Sequence, residues 1–231
     1  MSGVTYAGGM PRVTAAYRER QTDRILQAAE ECFARNGFQA TSMDEVIAAA
    51  GMSSSTVYRY FPEGKRSLIR AVLTRRMGPL VERIKRIAES EEPLDFERDF
   101  IEALTLLNYQ RHGAAAGSEA DRQDDAHEAP GDVGLSSWAP LAYHAWGELT
   151  RDPEMSVLVQ EGYRDIRGGL IRLCRNGQRV GTISCRLSPD QLASLIQSVS
   201  FGLIVEQLIT GRADVESAAA TLRQLLAPEG A

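Results

Sequence analysis

This 231-residue chain is poor in lysine, histidine, cysteine and tryptophan. Lys65 and Lys85 are its lysines, so nearly all of its positive charge is carried by arginine. Three histidines and three cysteines are too few and too scattered for a metal site, and Cys32, Cys174 and Cys185 fit no ligand spacing. Their odd number also argues against a disulfide scaffold and reads as reduced thiols. No G-x-S-x-G, H-E-x-x-H, phosphate loop or dinucleotide fingerprint is present, so no enzyme chemistry and no cofactor is expected. Glu148 and Asp152 share a helix face, but that spacing reads as a solvated stripe. The longest apolar run, around FGLIV, is too short to span a bilayer. The N-terminus lacks a charged start followed by an apolar core, and so reads as no secretory signal. Strand signals are scarce too, with nothing longer than GTISC. What these absences leave is an all-α cytoplasmic protein.

What is present is a large apolar fraction, 43%, an ordinary charged fraction, 25%, and a net charge of −5. The charge is unevenly placed. Residues 1–75 hold ten basic and seven acidic residues, a surplus of three positive charges, which leaves eight net negative charges on the remainder. A basic end on an acidic protein points to a local polyanion contact.

Along that basic end, TDRILQAAEECFARNGF puts Ile25, Leu26, Ala29, Cys32 and Phe33 on one helical face and stops at Asn36-Gly37. TSMDEVIAAAG begins a second helix with an S-x-x-E capping box, Ser42 and Glu45, and ends at Gly51. Ser53 caps a third, very short helix on which Val57 and Phe61 face inward, leaving Ser54, Ser55, Tyr58 and Arg59 outward. A fourth helix starts at Lys65, with Leu68, Ile69, Val72 and Leu73 apolar. Two short helices joined by a tight glycine turn, the second with a polar and basic outer face, form a helix-turn-helix. An outer face of that kind reaches base edges in the major groove. Its hydroxyls with Tyr58 and Tyr60 would grip phosphate, and Arg59 would read a base.

Residues 18–75 resemble the DNA-binding domain of the TetR family of transcriptional regulators. The matching segments run in order: a helix ending in NGF, then ATS, AGMS, TVYRYF and a basic residue opening the next helix. One departure is FPEGKRSL, which places Lys65 one residue later than the commonest family form. The resemblance implies phosphate contacts from Ser42, Thr56, Tyr58, Tyr60 and Lys65, and base contacts from Ser54, Ser55 and Arg59. It makes Thr41 and Ser53 caps that also touch phosphate. Asp44 would read a cytosine amino group or stay off the DNA. It also implies an N-terminal three-helix helix-turn-helix domain followed by a helical ligand-binding and dimerisation domain. The expected boundaries are an arm at 1–17, a DNA-binding domain at 18–64 and an effector domain at 65–231. The arm, with Arg12, reads as flexible or as entering a minor groove, and terminal position favours the first.

The rest reads as helices interrupted once. GAAAGSEADRQDDAHEAPGDVG has almost no large apolar residue, and predicts a mobile loop at about 112–135. DPEMSVLVQEGYRDIRGGLIRLCRNG is a helix expected to close at Asn176-Gly177. From Val199 to Ile209 the chain is apolar nearly all round, which calls for cover on both sides. Following the family arrangement, the second cover is another copy, with Leu195, Val199, Leu203, Ile204, Leu222 and Leu226 at a homodimer interface; the alternative is that FGLIV is simply buried within one protomer. The family also implies a pocket in this half. Its candidate lining is Met77, Phe100, Leu104, Leu107, Trp138, Trp146, Tyr163 and Cys174, for a small apolar or aromatic effector. Arg167 and Glu148 are either a polar anchor there or a surface pair. The expected function is a repressor on the nucleoid, released from a palindromic DNA operator by a small molecule. The alternative is a DNA-binding regulator controlled by a protein partner.

Overall fold

The computed structural model describes residues 15–90, 94–107 and 135–228. Nine α-helices occur among them and no strand: α1 (Ala15–Ala40), α2 (Met43–Ala50), α3 (Ser54–Tyr60), α4 (Lys65–Glu89), α5 (Phe96–Thr105), α6 (Trp138–Gly147), α7 (Pro153–Val180), α8 (Pro189–Thr210) and α9 (Val215–Leu226). The expected arm and loop fall outside the described residues except at their edges. Residues 15–17 already belong to α1, and Leu135 is fully buried.

Each boundary has a local cause. α1 is broken at Gly37, whose φ of 79° and ψ of 168° end the regular helix where Asn36-Gly37 predicts it. Gly37 also needs to be small, because a Cβ there would lie 3.0 Å from the His144 ring of α6. α2 starts on the Ser42–Glu45 capping box and stops at left-handed Gly51. α7 does not close at Asn176-Gly177. It continues to left-handed Gly181, and Gly177 is buried because Ile183 packs where its Cβ would be, 2.6 Å away. The GTISC segment is therefore an irregular plug rather than a strand, with Ile183 in the core.

The amphipathic helices meet as their apolar stripes dictate. α1, α2 and α3 enclose Ile25, Phe33, Phe38, Val46 and Val57, all essentially inaccessible to solvent. α4 lies against α1 at one end and α7 along much of its length, while α8 packs on α6, α7 and α9. By length and composition alone α8 could cross a membrane, yet its inner face is packed into the protein through Leu192, Ala193, Ile196, Leu203 and Ile204. These contacts give one continuous apolar core from α1 to α9.

Candidate functional site

The outer face of α3 is built by its caps. Ser53 Oγ accepts the Thr56 N–H at 3.3 Å and lies 2.8 Å from Thr56 Oγ1 and 3.2 Å from Ser55 Oγ. Val57 and Phe61 anchor the helix in the core. Ser54, Ser55, Tyr58 and Arg59 are exposed, and Thr56 and Tyr60 are half-buried. The Arg59 guanidinium sits 5.5 Å from the Tyr60 ring centroid, a cation–π contact that holds it on the outer face. A seven-residue helix presenting hydroxyls, a phenol and a guanidinium together suits a phosphate-lined groove.

Three neighbouring side chains already have partners within the protein: Ser42 is in the expected capping box, whereas Thr41 and Lys65 are tied to the end of α1. Thr41 is fully buried and is no cap. Its Oγ1 shares its single proton between Gly37 O at 2.8 Å and Cys32 O at 3.1 Å, and its N–H also donates to Gly37 O at 3.3 Å, which ties the chain down where α1 breaks. It has no exposed atom to offer DNA. Lys65 spends two of its three ammonium protons on the same break, donating to Gln39 O at 3.1 Å and Thr41 O at 3.0 Å. Only its third proton is available to a phosphate. Ser42 is exposed but committed, since its N–H donates to Glu45 Oε2 at 2.6 Å and its hydroxyl lies 3.1 Å away. The Ser42 backbone and hydroxyl donors hold the Glu45 carboxyl below its usual pKa.

A cavity of about 780 Å³ lies in the second half of the chain, walled by α4, α5, α6, α7 and α8. Met77, Phe100, Leu104, Leu107, Trp138, Trp146 and Tyr163 all line it. Cys174 does not. It is fully buried in the core, and burial pushes its thiol up to about 12. Phe201, which sequence reasoning missed, organises one wall. Its centroid is 5.3 Å from that of Trp146, edge-on, and 5.8 Å from that of Tyr163, stacked. Only the α7–α8 pairing could have shown it. Arg167 and Glu148 are neither an anchor nor a pair: Arg167 Nη2 donates to Ser194 Oγ at 3.0 Å, whereas Glu148 accepts from Gln39 Nε2 at 2.7 Å. Asp152 caps α7 through the N–H groups of Glu154 and Met155. Among the described residues no three His, Cys, Asp or Glu side chains are grouped to hold a metal.

Two bridges join this half to the helix-turn-helix. The first is polar and buried: Arg76 of α4 lies 3.3 Å from Glu30 of α1 and donates to Ser137 Oγ at 2.6 Å. Burial pushes the Glu30 carboxyl up, with Arg76 opposing, and pushes the Arg76 guanidinium down. The second is α6 on the end of α1, where His144 covers Gly37 and Phe38 and Glu148 holds Gln39.

The outward side of α8 also departs from expectation. Leu203, Ile204, Leu222 and Leu226 are packed inside the protomer, and Ile204 lines the cavity. Periodicity of an all-round apolar helix does not say which side of α8 is inward, and here α6, α7 and α9 pack on the side that carries Leu203 and Ile204, while Leu222 and Leu226 are on the inner side of α9, which packs on α5 and α8. Leu195 and Val199 remain half-exposed on a stripe that continues through Gly202, Val205 and Ile209. Ile209 is 77% exposed and Leu225 of α9 64%.

Residues 25–72 match the model of bacterial regulatory proteins of the tetR family, and residues 129–229 match that of the BetI-type transcriptional repressor C-terminal domain. The chain belongs to the TetR family of transcriptional regulators. Among relatives of this TetR-family regulator is the HTH-type transcriptional regulator UidR of Escherichia coli K12, 22% identical over 186 residues, 79% of each chain. SrpR of Pseudomonas putida is 38% identical over 71 residues, 31% of this chain and 33% of its own. Among solved structures, Salmonella enterica GusR superposes with a TM-score of 0.66 at 23% identity, covering 92% of this chain and 95% of its own. The SmeT–triclosan complex does so with 0.66 at 17%, covering 91% and 93%. A Saccharomonospora viridis regulator in complex with choline gives 0.63 at 19%, covering 90% and 95%. At these identities the structures establish the fold. Membership makes α2–α3 the DNA-binding helix-turn-helix of a transcriptional regulator and not part of an enzyme.

Proposed function

We propose that this chain is a cytoplasmic repressor that grips a palindromic operator as a homodimer and releases it when a small apolar or aromatic molecule fills the cavity. The supporting observation is that the cavity and the DNA-binding domain share two walls. α6 gives Trp138 and Trp146 to the cavity and rests on α1 through His144 and Glu148. α4 gives Met77 and Leu80 to the cavity and begins at Lys65, which is bonded to the end of α1. Filling the cavity therefore reorients the helix-turn-helix rather than merely filling space. A coupling of about 1–3 kcal/mol changes operator affinity roughly 5- to 150-fold. In this reading Ser54, Ser55 and Arg59 face bases, and Thr56, Tyr58, Tyr60 and the third Lys65 proton meet phosphates. SmeT, which is described as the repressor of a multidrug efflux pump and has been solved with triclosan, offers the same fold with a bound small molecule. The test is footprinting of the protein on its own upstream region, then operator anisotropy titrated with candidate compounds while Trp emission is followed. Release and the emission change should coincide, and Trp138→Ala should blunt both while sparing ligand-free binding. Operator release with unchanged emission, equal in Trp138→Ala, places the switch elsewhere.

A further inference from the structure

The helix shared by the two halves of the protein, α4, carries a weak joint in its middle. Pro79 lies in the interior of this helix. The prolines of α6, α7 and α8, Pro140, Pro153 and Pro189, fall in first turns, where a missing N–H costs nothing. In the interior, Pro79 has no N–H to give the Arg75 carbonyl four residues back, and its ring crowds that carbonyl. Gly78 stands just before it, and glycine is the next poorest helix former. Nothing in the packing demands this glycine. It is not in the left-handed region, and a Cβ there would meet no atom within 4 Å. Gly162 and Gly202 are equally open, but neither adjoins a proline.

The two pieces of α4 are tied to different bodies. Below the joint, Lys65 holds the end of α1, Arg75 Nη1 donates to Asp23 O at 3.3 Å, and Arg76 lies 3.3 Å from Glu30. Arg76 also holds Ser137, which leads into α6, and α6 rests more on α1 than on α7 or α8. Above the joint, Arg83 Nη2 donates to Asp99 Oδ1 of α5 at 2.8 Å. Ile84 there packs against Gly169 of α7, and Ser90 O accepts Asn176 Nδ2 of α7 at 2.9 Å. A tie that crosses the joint, Arg66–Glu154, joins exposed side chains at 2.9 Å and is weak. The joint itself is cavity wall: Met77 and Gly78 line the cavity just below it, and Leu80 and Val81 just above. Met77 and Val81 are one turn apart, so a molecule seated against both spans the joint.

We propose that α4 works as two rigid pieces hinged at Gly78-Pro79, and that filling the cavity bends the helix there and so turns the DNA-binding domain, rather than tilting α4 as a single rod. This rests on the reading that cavity occupancy controls operator binding. A tilting rod strains the ties to α1 and those to α5 and α7 together, whereas a bend at Pro79 keeps both sets. The bend also has one hydrogen bond fewer to break than anywhere else in the helix interior.

The first test is hydrogen exchange of the full chain without DNA or ligand. Leu80 and Ile84 are buried, so in a uniform helix the amides of residues 80–83 are as protected as those of 69–74. The hinge requires them to exchange at least about tenfold faster. Pro79→Ala restores the missing N–H and should slow them to the level of 69–74, and Gly78→Ala should slow them partway. Uniform protection in the wild-type chain overturns the proposal, as does fast exchange that neither variant slows. The second test fills the cavity with a side chain of the protein itself. Ala103 lines the cavity between Phe100 and Leu107 on one face of α5. Ala103→Trp should lower affinity for the footprinted operator at least about fivefold by anisotropy. With Pro79→Ala added the loss should shrink to under about twofold, while Pro79→Ala alone should bind like wild type. An equal loss in both backgrounds overturns the hinge. Fast exchange abolished by Pro79→Ala, with a folded Ala103→Trp binding the operator normally, defeats the occupancy switch and leaves the joint. Uniform protection with Ala103→Trp releasing the operator defeats the hinge and leaves the switch.

Discussion

Leu203→Glu and Val205→Glu lie two residues apart on α8 and should behave oppositely. Leu203 is 5% exposed within the protomer and Val205 40%. Removing the Leu203 side chain forfeits about 2–3 kcal/mol of burial. The introduced carboxyl must then remain neutral in the core. Holding protonated at pH 7 a group whose ordinary pKa is about 4.3 costs roughly 3.7 kcal/mol, at about 1.36 kcal/mol per unit. The sum, roughly 6 kcal/mol, is comparable with the whole stability of about 5–15 kcal/mol that a domain of this kind has. Leu203→Glu should therefore be largely unfolded at pH 7, by loss of cooperative thermal unfolding followed by circular dichroism. The introduced group has a folded-state pKa above its unfolded value, so the native state binds the extra proton. Stability should fall as pH rises above the unfolded pKa and recover as it is lowered toward pH 4.5, by about 1.4 kcal/mol per unit. Val205→Glu leaves its carboxylate in water and should keep the protomer's melting temperature within the small range of surface changes. If the exposed α8 stripe is the dimer interface, the same variant should sediment as a folded monomer and lose operator binding. A folded, monomeric Leu203→Glu at pH 7 would refute the assignment of Leu203 to the core. A dimeric Val205→Glu would take the interface off this stripe.

Arg59→Ala should cost about 1–3 kcal/mol at one operator base pair and relax the preference there, measured by binding to a set of single-base operator variants. Lys65→Ala should instead weaken all sequences alike and flatten the salt dependence, and it should also lower the melting temperature, because Lys65 holds the carbonyls of Gln39 and Thr41. Of the three thiols, Cys185 is exposed while Cys32 and Cys174 are buried, with burial raising the pKa of both buried thiols. Native protein at pH 8 should release one equivalent rapidly with a thiol reagent and the other two only on denaturation; a second fast thiol would contradict the packing.

The local architecture was legible in the sequence because local interactions set it. The capping box at Ser42–Glu45, the glycine turn at Gly51, the Ser53 cap and the inward spacing of Val57 and Phe61 each depend on residues within one or two turns. Seven of the eight cavity candidates were legible for a similar reason. Most are large apolar residues on the inner faces of helices, and a bundle of such helices encloses its inner faces; Leu107, just past α5, and the exposed Tyr163 are the exceptions. Tertiary structure alone decided what a side chain meets when its partner comes from far along the chain. Thr41 is a buried tie because α1 breaks beside it, and Lys65 is partly spent for the same reason. Gly177 continues α7 because Ile183 folds back onto it, so a glycine that reads as a stop is a point of close approach. On α8 the composition gives no polar face, and which apolar residues are inside was decided by where α6, α7 and α9 lie. The burial of Gln197 belongs to the same class, since its amide is held by the Tyr163 carbonyl on the neighbouring helix.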